Sequence, residues 1–503
     1  MEEKVLFGLY EGSITPDKSV NLDGQFYERV SEGVESEVKA TALAIKVGDE
    51  QGILVSCDLM EMAEGLVDAI REVVDGYNGL DASKIMLHST HTHCSVGYAG
   101  GLRVKTKVPY GLHVLKEFTG DMKYLEMKAE HEAEMGYQEG RAFLVEKISN
   151  IIKKAWDDLH EGYYKFAFGR VAVGMNRRVV FDDGTAEMWG DTSVASFKEM
   201  EDGTDNGMEM MYIYNGDRKL EALLLNPACP AQVMEQRSVI SSDYWGKVRI
   251  LLKQQFGEDF KVIGVSAPAG DLCPRDLTRW VDPETPILDP NVKRPNHLSR
   301  RADPSMYDVA GTWRIAKRIV NEVNLITEET EGEPLLDKAE FKHEVTQLGL
   351  PYRKVTKSEY KEAVKAVENF VRTATSKNIN FEDTAALHVY GGIMARYINQ
   401  QQIDIYPAEV HVGRFGDAAF ASSPFELFQN YGCQIRCRSV APQVFQFQMT
   451  DGYLGYLPTE KAEKGGHYSA YVSSGHIGHE GGEQLVKYTV EEIRKLFPEY
   501  VPQ

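Results

Sequence analysis

Three histidines and a thiol lie close together in His88-Ser-Thr-His-Thr-His-Cys94, and a glycine-containing loop follows to Gly101. The run Lys84–Thr90 reads as a short β-rich segment that delivers these side chains to one point. His91 and His93 are two residues apart, so on an extended backbone both face the same side. Two imidazoles on one face at a strand end can hold a metal, or one can hold a metal while the other meets substrate. The competing reading is a polar strand end whose histidines are satisfied by backbone partners. Such density of histidine favours chemistry over that alternative.

The elements that must position this cluster can be read on either side of it. Gly52–Leu59 is a mainly apolar run, as expected of a buried central strand. Met62–Tyr77 is an amphipathic helix with Leu66, Ile70 and Val73 on one face. Strand, helix and the histidine strand then imply a parallel pair, whose carboxyl end is the edge where active sites form. Residues 102–140 are polar and read as an excursion into a helix over Ala142–Leu159. Lys165–Gly174 alternates like a strand, Leu223–Pro230 is a buried strand stopped by prolines, and Lys261–Ser266 is another. A helix over Tyr244–Phe256 has Asp243 as its expected N-cap. Residues 276–310 are proline-rich and mixed in charge without a period, the pattern of a functional or disordered loop, with a lid as one option. A helix over Val309–Leu325 precedes an acidic, glycine-containing run at 327–333. Thr356-Lys-Ser-Glu359 has capping-box spacing for a helix facing inward through Val364, Val367 and Val371. Strands are expected near His388, Val410 and Phe415. The mixture is an α/β chain, divided as two halves, 1–328 and 329–503, that complete one catalytic site.

Composition narrows the partners. The chain has 503 residues, 43% hydrophobic and 26% charged, with a formal net charge of −20. That balance suits a globular protein and argues against nucleic acid or an anionic membrane as the main partner. The N-terminus lacks the basic, apolar and small-residue regions of a secretory signal, and no apolar run is long enough for stable membrane insertion. Cys57, Cys94, Cys229, Cys273, Cys433 and Cys437 are scattered, unlike a disulfide scaffold. Cytoplasmic location is the resulting expectation.

Several islands together resemble the neutral ceramidases and their bacterial relatives. His91-Thr-His93-Cys94 resembles the family's His-Thr-His-Ser motif, and Asn176-Arg177 its Asn-Arg motif. Gly270-Asp-Leu-Cys-Pro274 stands where the family has Gly-Asp-Val-Ser-Pro, and Pro424-Phe-Glu426 where it has Pro-Gly-Glu. Gly455-Tyr456-Leu-Pro-Thr459, with Tyr468 beyond, resembles its Gly-Tyr-x-x-Thr motif and later tyrosine. The Ile14-Thr-Pro16 start and the strand ending at Asp58 also fit. These islands occur in family order over nearly the whole chain, and the family's C-terminal immunoglobulin-like domain is expected to be absent.

The resemblance implies a mixed α/β catalytic domain and a zinc ion held by His91, Glu426 and Tyr456. The family's second histidine ligand falls at Cys229 in Ala228-Cys-Pro230. Cys229 either takes the vacant position, since zinc accepts thiolate, or is a small buried core residue. Cys273 replaces the motif serine and is expected to be structural, with a thiolate nucleophile as the alternative. The resemblance further implies His93 for proton transfer, and Arg177 and Tyr468 for oxyanion stabilisation. The polar loops suggest a small-molecule amide or ester more polar than ceramide. A metal-dependent lactonase or esterase, or a binding protein that has lost the metal, remain the alternatives.

Overall fold

The computed structural model describes residues 3–98, 111–119, 129–278, 280–281, 301–302, 308–373 and 379–500. Most of the expected 276–310 loop, and the 102–110 and 120–128 parts of the excursion, lie outside them.

Alternation along the strands builds a layered α/β fold. A large mixed sheet runs in the order Lys261–Gly264, Leu220–Pro227, Gly207–Asn215, His160–Arg170, Glu3–Ser13, Lys39–Val47, Glu50–Cys57, Ile85–Ser89, with Lys338–Ala339 attached to the Glu3–Ser13 strand. Only its terminal pairs are parallel, Ala222↔Lys261 through Leu225↔Gly264 and Ile53↔Ile85 through Cys57↔Ser89. Along Ile85-Met-Leu87 the two outer residues enter one apolar cluster and Met86 enters another. The same parity holds at Ile53, Leu54 and Val55. Strand side chains point to opposite faces in turn, so each strand feeds two cores.

The outer cores are covered by helices. Glu64–Val74 and Tyr137–Asp157 cover Ala40, Val55 and Leu87. Asp243–Phe256 and Asp308–Glu329 cover Met210 and Leu225. The inner face meets a second sheet, ordered Phe341–Pro351, Ile405–Phe415, Ala418–Ser422, Gln443–Phe447. Phe7, Leu54 and Met86 of the first sheet pack there with Phe341, Phe415, Phe420 and Phe445 of the second. The second sheet's other face holds Val410, Val412 and Val444 against the helices Gln429–Arg438 and His479–Leu496. Helices, sheet, sheet, helices is the resulting order.

Several expectations are corrected in detail. His388 lies in the helix Phe381–Asn399, which Asn380 opens with a capping box, and not in a strand. Val371 is 48% exposed, and the inner face of Lys357–Thr373 runs through Ala363 and Val367. The capping box at Thr356 is formed, with Glu359 accepting from Thr356 N at 2.7 Å and Thr356 Oγ1 accepting from Glu359 N at 3.2 Å. Asp243 is the first helical residue rather than the cap, and its carboxylate instead accepts from Met234 N at 2.9 Å.

The large sheet curves until its ends approach each other. Ser56 Oγ donates to the carbonyl of Gly264, and Ser266 N donates to His88 Nε2 at 3.0 Å, so the two parallel pairs meet. That convergence brings the carboxyl ends of both pairs to one place.

Candidate functional site

His88 shows how the convergence is fixed. Its Nδ1 faces the carbonyl of Gln448 at 2.8 Å, while Nε2 receives Ser266 N at 3.0 Å. A carbonyl only accepts and an amide only donates, so His88 carries its proton on Nδ1 and is neutral. Complete burial pushes its pKa down to about 3. His88 is a structural joint.

His91 and His93 come together, although not on an extended backbone. The strand ends at Ser89, and His91 takes a left-handed conformation with φ 64°. Such a backbone is unfavourable for a residue with a Cβ and is retained where the surroundings enforce it. Here His91 Nδ1 is held by Met60 O at 2.8 Å, which leaves the Nε2 lone pair aimed inward. His91 Nε2 lies 3.4 Å from Glu426 Oε2 and 3.2 Å from His93 Nε2. All three side chains are buried.

Glu426 arrives from the far end of the chain. It pairs with Tyr456 in the parallel ribbon of Glu426–Leu427 and Tyr456–Leu457, and Tyr453 donates to its Oε1 at 2.7 Å. Gly270 presses on the same ribbon, since its N donates to Leu427 O at 2.8 Å and a Cβ there would stand 2.3 Å from Glu426 O. Tyr456 Oη and Tyr468 Oη are 2.7 Å apart. His467 and Ser469, flanking Tyr468, both have φ 71°. That turn is gripped by Arg178, which donates to Tyr468 O at 3.1 Å while pairing with Glu201 at 2.7 Å.

Arg177 joins the two sides. It donates to Gln232 Oε1 at 3.3 Å, Gly270 O at 3.2 Å and Tyr456 Oη at 3.4 Å. Because Gln232 Oε1 faces this donor, its amide nitrogen faces His93 Nε2, 2.9 Å away. His93 therefore accepts at Nε2 and holds its proton on Nδ1, which is 3.6 Å from Glu235 Oε2. Burial, with His91 and the guanidiniums of Arg29, Arg177 and Arg275 nearby, holds His93 well below the usual histidine pKa. Neutral His93 is the form able to take a proton.

This tautomer chain bears on a metal. His91 Nε2 and Glu426 Oε2 are two buried acceptors facing each other without a proton between them, an arrangement that suits a cation. The donor set fits a metal at His91 and Glu426, with the Tyr456 phenol on the adjoining strand. Cys229 stands apart, its Sγ directed at Val173 O, 3.4 Å, and Pro230 O, 3.6 Å, within an apolar cluster. Burial raises that thiol well above its ordinary pKa. Among the described residues, three histidine, cysteine or carboxylate donors converge within 4.8 Å at Glu409, His411 and Asp451. Arg71 already bridges those carboxylates, at 2.6 Å and 3.0 Å, and supplies the cation there.

Two other thiols near the site are tied to backbone carbonyls. Cys273 Sγ donates to Arg275 O at 3.2 Å, and burial pushes it up to about 11, which keeps it protonated near neutrality. Cys94 Sγ is tied to Met234 O at 3.0 Å and is raised to about 12. Cys433 and Cys437, on the helix Gln429–Arg438, are free thiols.

Sequence reasoning missed Gln232, Glu235, Arg275, Arg29 and Tyr453. Gln232 and Glu235 follow a strand end that sequence does identify, which was the available signal. Arg29, which donates to His93 O at 2.6 Å, comes from the two-residue strand Arg29–Val30, which carries no motif.

Comparison with known proteins gives a likeness of fold. No family model matches, and no curated protein matches. A crystal structure of neutral ceramidase from Pseudomonas aeruginosa aligns with a TM-score of 0.66 at 16% identity, covering 100% of this chain and 76% of that one. A ceramidase complexed with C2 aligns with a TM-score of 0.66 at 14% identity, covering 99% of this chain and 76% of the other. The chain has a neutral-ceramidase-like α/β fold.

Proposed function

We propose that the chain is a zinc-dependent hydrolase of the neutral ceramidase type, cleaving a carbon–nitrogen amide bond in a small molecule more polar than ceramide. The observation that carries this reading is the convergence of His91 Nε2 and Glu426 Oε2, two buried acceptors 3.4 Å apart, beside Tyr456, Tyr468 and Arg177. His91, Glu426 and Tyr456 would hold the metal, and a zinc there supplies a Lewis acid and lowers the pKa of a water to about 7.

The protein's own groups supply the rest. Neutral His93 takes a proton from the attacking water at Nε2, in place of the Gln232 N–H it accepts in this structure, and the resulting imidazolium lies 3.6 Å through Nδ1 from the Glu235 carboxylate. The same imidazolium then returns a proton to the leaving nitrogen. The Tyr468 hydroxyl, with its proton held by burial, and the Arg177 guanidinium donate to the oxygen that gains charge as the carbonyl carbon becomes tetrahedral. Gln232 holds His93 and Arg177 in register. Cys273 and Cys229 take no part, because each thiol is directed at a backbone carbonyl, Arg275 O and Val173 O respectively.

Activity toward a panel of amides, esters, lactones and ceramide, run with zinc-loaded and metal-stripped protein, tests the reading. Zinc-dependent release of amine from an amide is the expected result. Cleavage confined to lactones or esters would replace amidohydrolase by esterase, and no cleavage together with no zinc bound would leave a binding protein.

A further inference from the structure

Three guanidiniums crowd the proposed reaction centre. Arg29, Arg177 and Arg275 are all buried, and each lies close enough to bear on His93. Arg275 is paired with Glu235 at 3.2 Å. Arg177 is different. Every acceptor it reaches is neutral, namely Gln232 Oε1, Gly270 O and the Tyr456 hydroxyl, at 3.2 to 3.4 Å, and its Nε has no hydrogen-bond acceptor among the described residues. A buried cation held only by long bonds to neutral groups is costly unless something negative completes it. Glu426 does not do so by contact, for its oxygens face His91 and Tyr453.

The geometry also indicates the kind of anion. A guanidinium whose buried Nε has no acceptor among the described residues, and whose Nη2 makes only long bonds, has donors left over for side-on, two-point pairing with a planar carboxylate. Trp189 lies against both Arg177 and Arg275, whose guanidinium carbons are 5.5 and 4.9 Å from its ring centre, within cation–π range. Tyr468 and Trp189 are the half-buried members of this group, so the approach is from their side. Phe26 meets Tyr468 edge-on at 5.4 Å and adds an apolar wall there.

We infer that the substrate carries a carboxylate close to its scissile amide, as an N-acylated amino acid does, and that Arg177 pairs with it through Nε and Nη2, with Nη1 left as the oxyanion donor, while Arg275 and Arg29 make the surroundings positive. This rests on the amidohydrolase reading for the amide, but the carboxylate site stands on Arg177 alone. Such a pairing is worth roughly 1.5–3 kcal/mol for a charged hydrogen bond, or about 10- to 100-fold in affinity.

The test is isothermal titration of the full chain with an N-acetyl amino acid and with its methyl ester, on metal-stripped and zinc-loaded protein. The free acid is expected to bind about tenfold or more tightly than the ester in both states. Arg177→Gln, checked for folding by thermal unfolding, brings that ratio close to one, and Arg177→Lys restores part of it. Equal binding of acid and ester by the unmodified protein overturns the inference, as does a ratio that survives in folded R177Q. If R177Q does not fold, the acid-to-ester ratio of the unmodified protein decides alone. Hydrolysis of neutral amides with no preference for the acid would sink the carboxylate site and leave the hydrolase. Tight acid binding with no turnover of any amide would uphold the site and sink the hydrolase.

Discussion

Each residue at the centre is defined by what its neighbours can donate or accept. Met60 O fixes His91, and Gln232 fixes His93, so two similar side chains receive different jobs. His93→Ala is expected to keep zinc and lose turnover, as read by metal content and rate together. Tyr468→Phe removes one donor to the developing oxyanion and should lower kcat by about 10²–10³ with zinc retained. Cys229→Ala should leave zinc content unchanged, because the thiol already has carbonyl partners in an apolar cluster. Sequence could identify Cys229 as the residue at the vacant ligand position, yet it carries no information about where a thiol turns. Likewise Gln232 and Glu235 are ordinary polar residues until the sheet ends converge on them.

Among the elements, the site depends on how a short ribbon and two loops are pressed together. Gly270 has no room for a side chain against Glu426 O. Gly270→Ala should therefore displace the Glu426 strand, weakening zinc binding by an order of magnitude or more and lowering Tm, measurable by zinc competition titration and calorimetry. His88 makes a second prediction at this scale, because it joins the histidine strand to the Ser266 and Gln448 segments. Its folded pKa, about 3, is depressed from 6.5, so the unfolded chain binds the extra proton more readily. Stability tied to neutral His88 is present above about pH 6.5 and is lost as pH falls toward 3. Urea unfolding from pH 7 to 4 should show that loss, shallower in His88→Gln. Periodicity made the strands and most helices legible, since buried runs such as Gly52–Leu59 can be nothing else at that length. It misassigned His388, because apolar and polar residues mix along Phe381–Asn399 and the signal was its Asn380 capping box.

At the scale of the whole molecule, the two sheets must stay in contact for His91 and Glu426 to meet. Part of that contact is the apolar layer of Phe7, Phe341, Phe415 and Phe420, and part is a buried polar cluster. Arg71, from the helix Glu64–Val74, pairs with Glu409 and Asp451, while His411 Nε2 lies 3.2 Å from each carboxylate. Asp451 also accepts from Leu87 N at 2.9 Å, on the strand that leads to the histidines. Arg71→Met leaves the buried Asp451 and the half-buried Glu409 without their cation and should cost about 3–5 kcal/mol, read from urea unfolding. The order of the islands along the chain made the overall architecture legible, and the aligned ceramidase structures share it. The curvature that joins the ends of the large sheet was not legible, because it arises from contacts between residues as distant as Ser56 and Gly264.

The central claim is a metal held by His91 and Glu426, and metal content measures it most directly. Protein equilibrated with zinc, freed of excess and assayed by elemental analysis should carry about one zinc per chain. His91→Ala and Glu426→Gln should each lose it, while Cys229→Ala keeps it. Folded protein that binds no zinc, or that keeps full zinc in both His91→Ala and Glu426→Gln, would contradict the account.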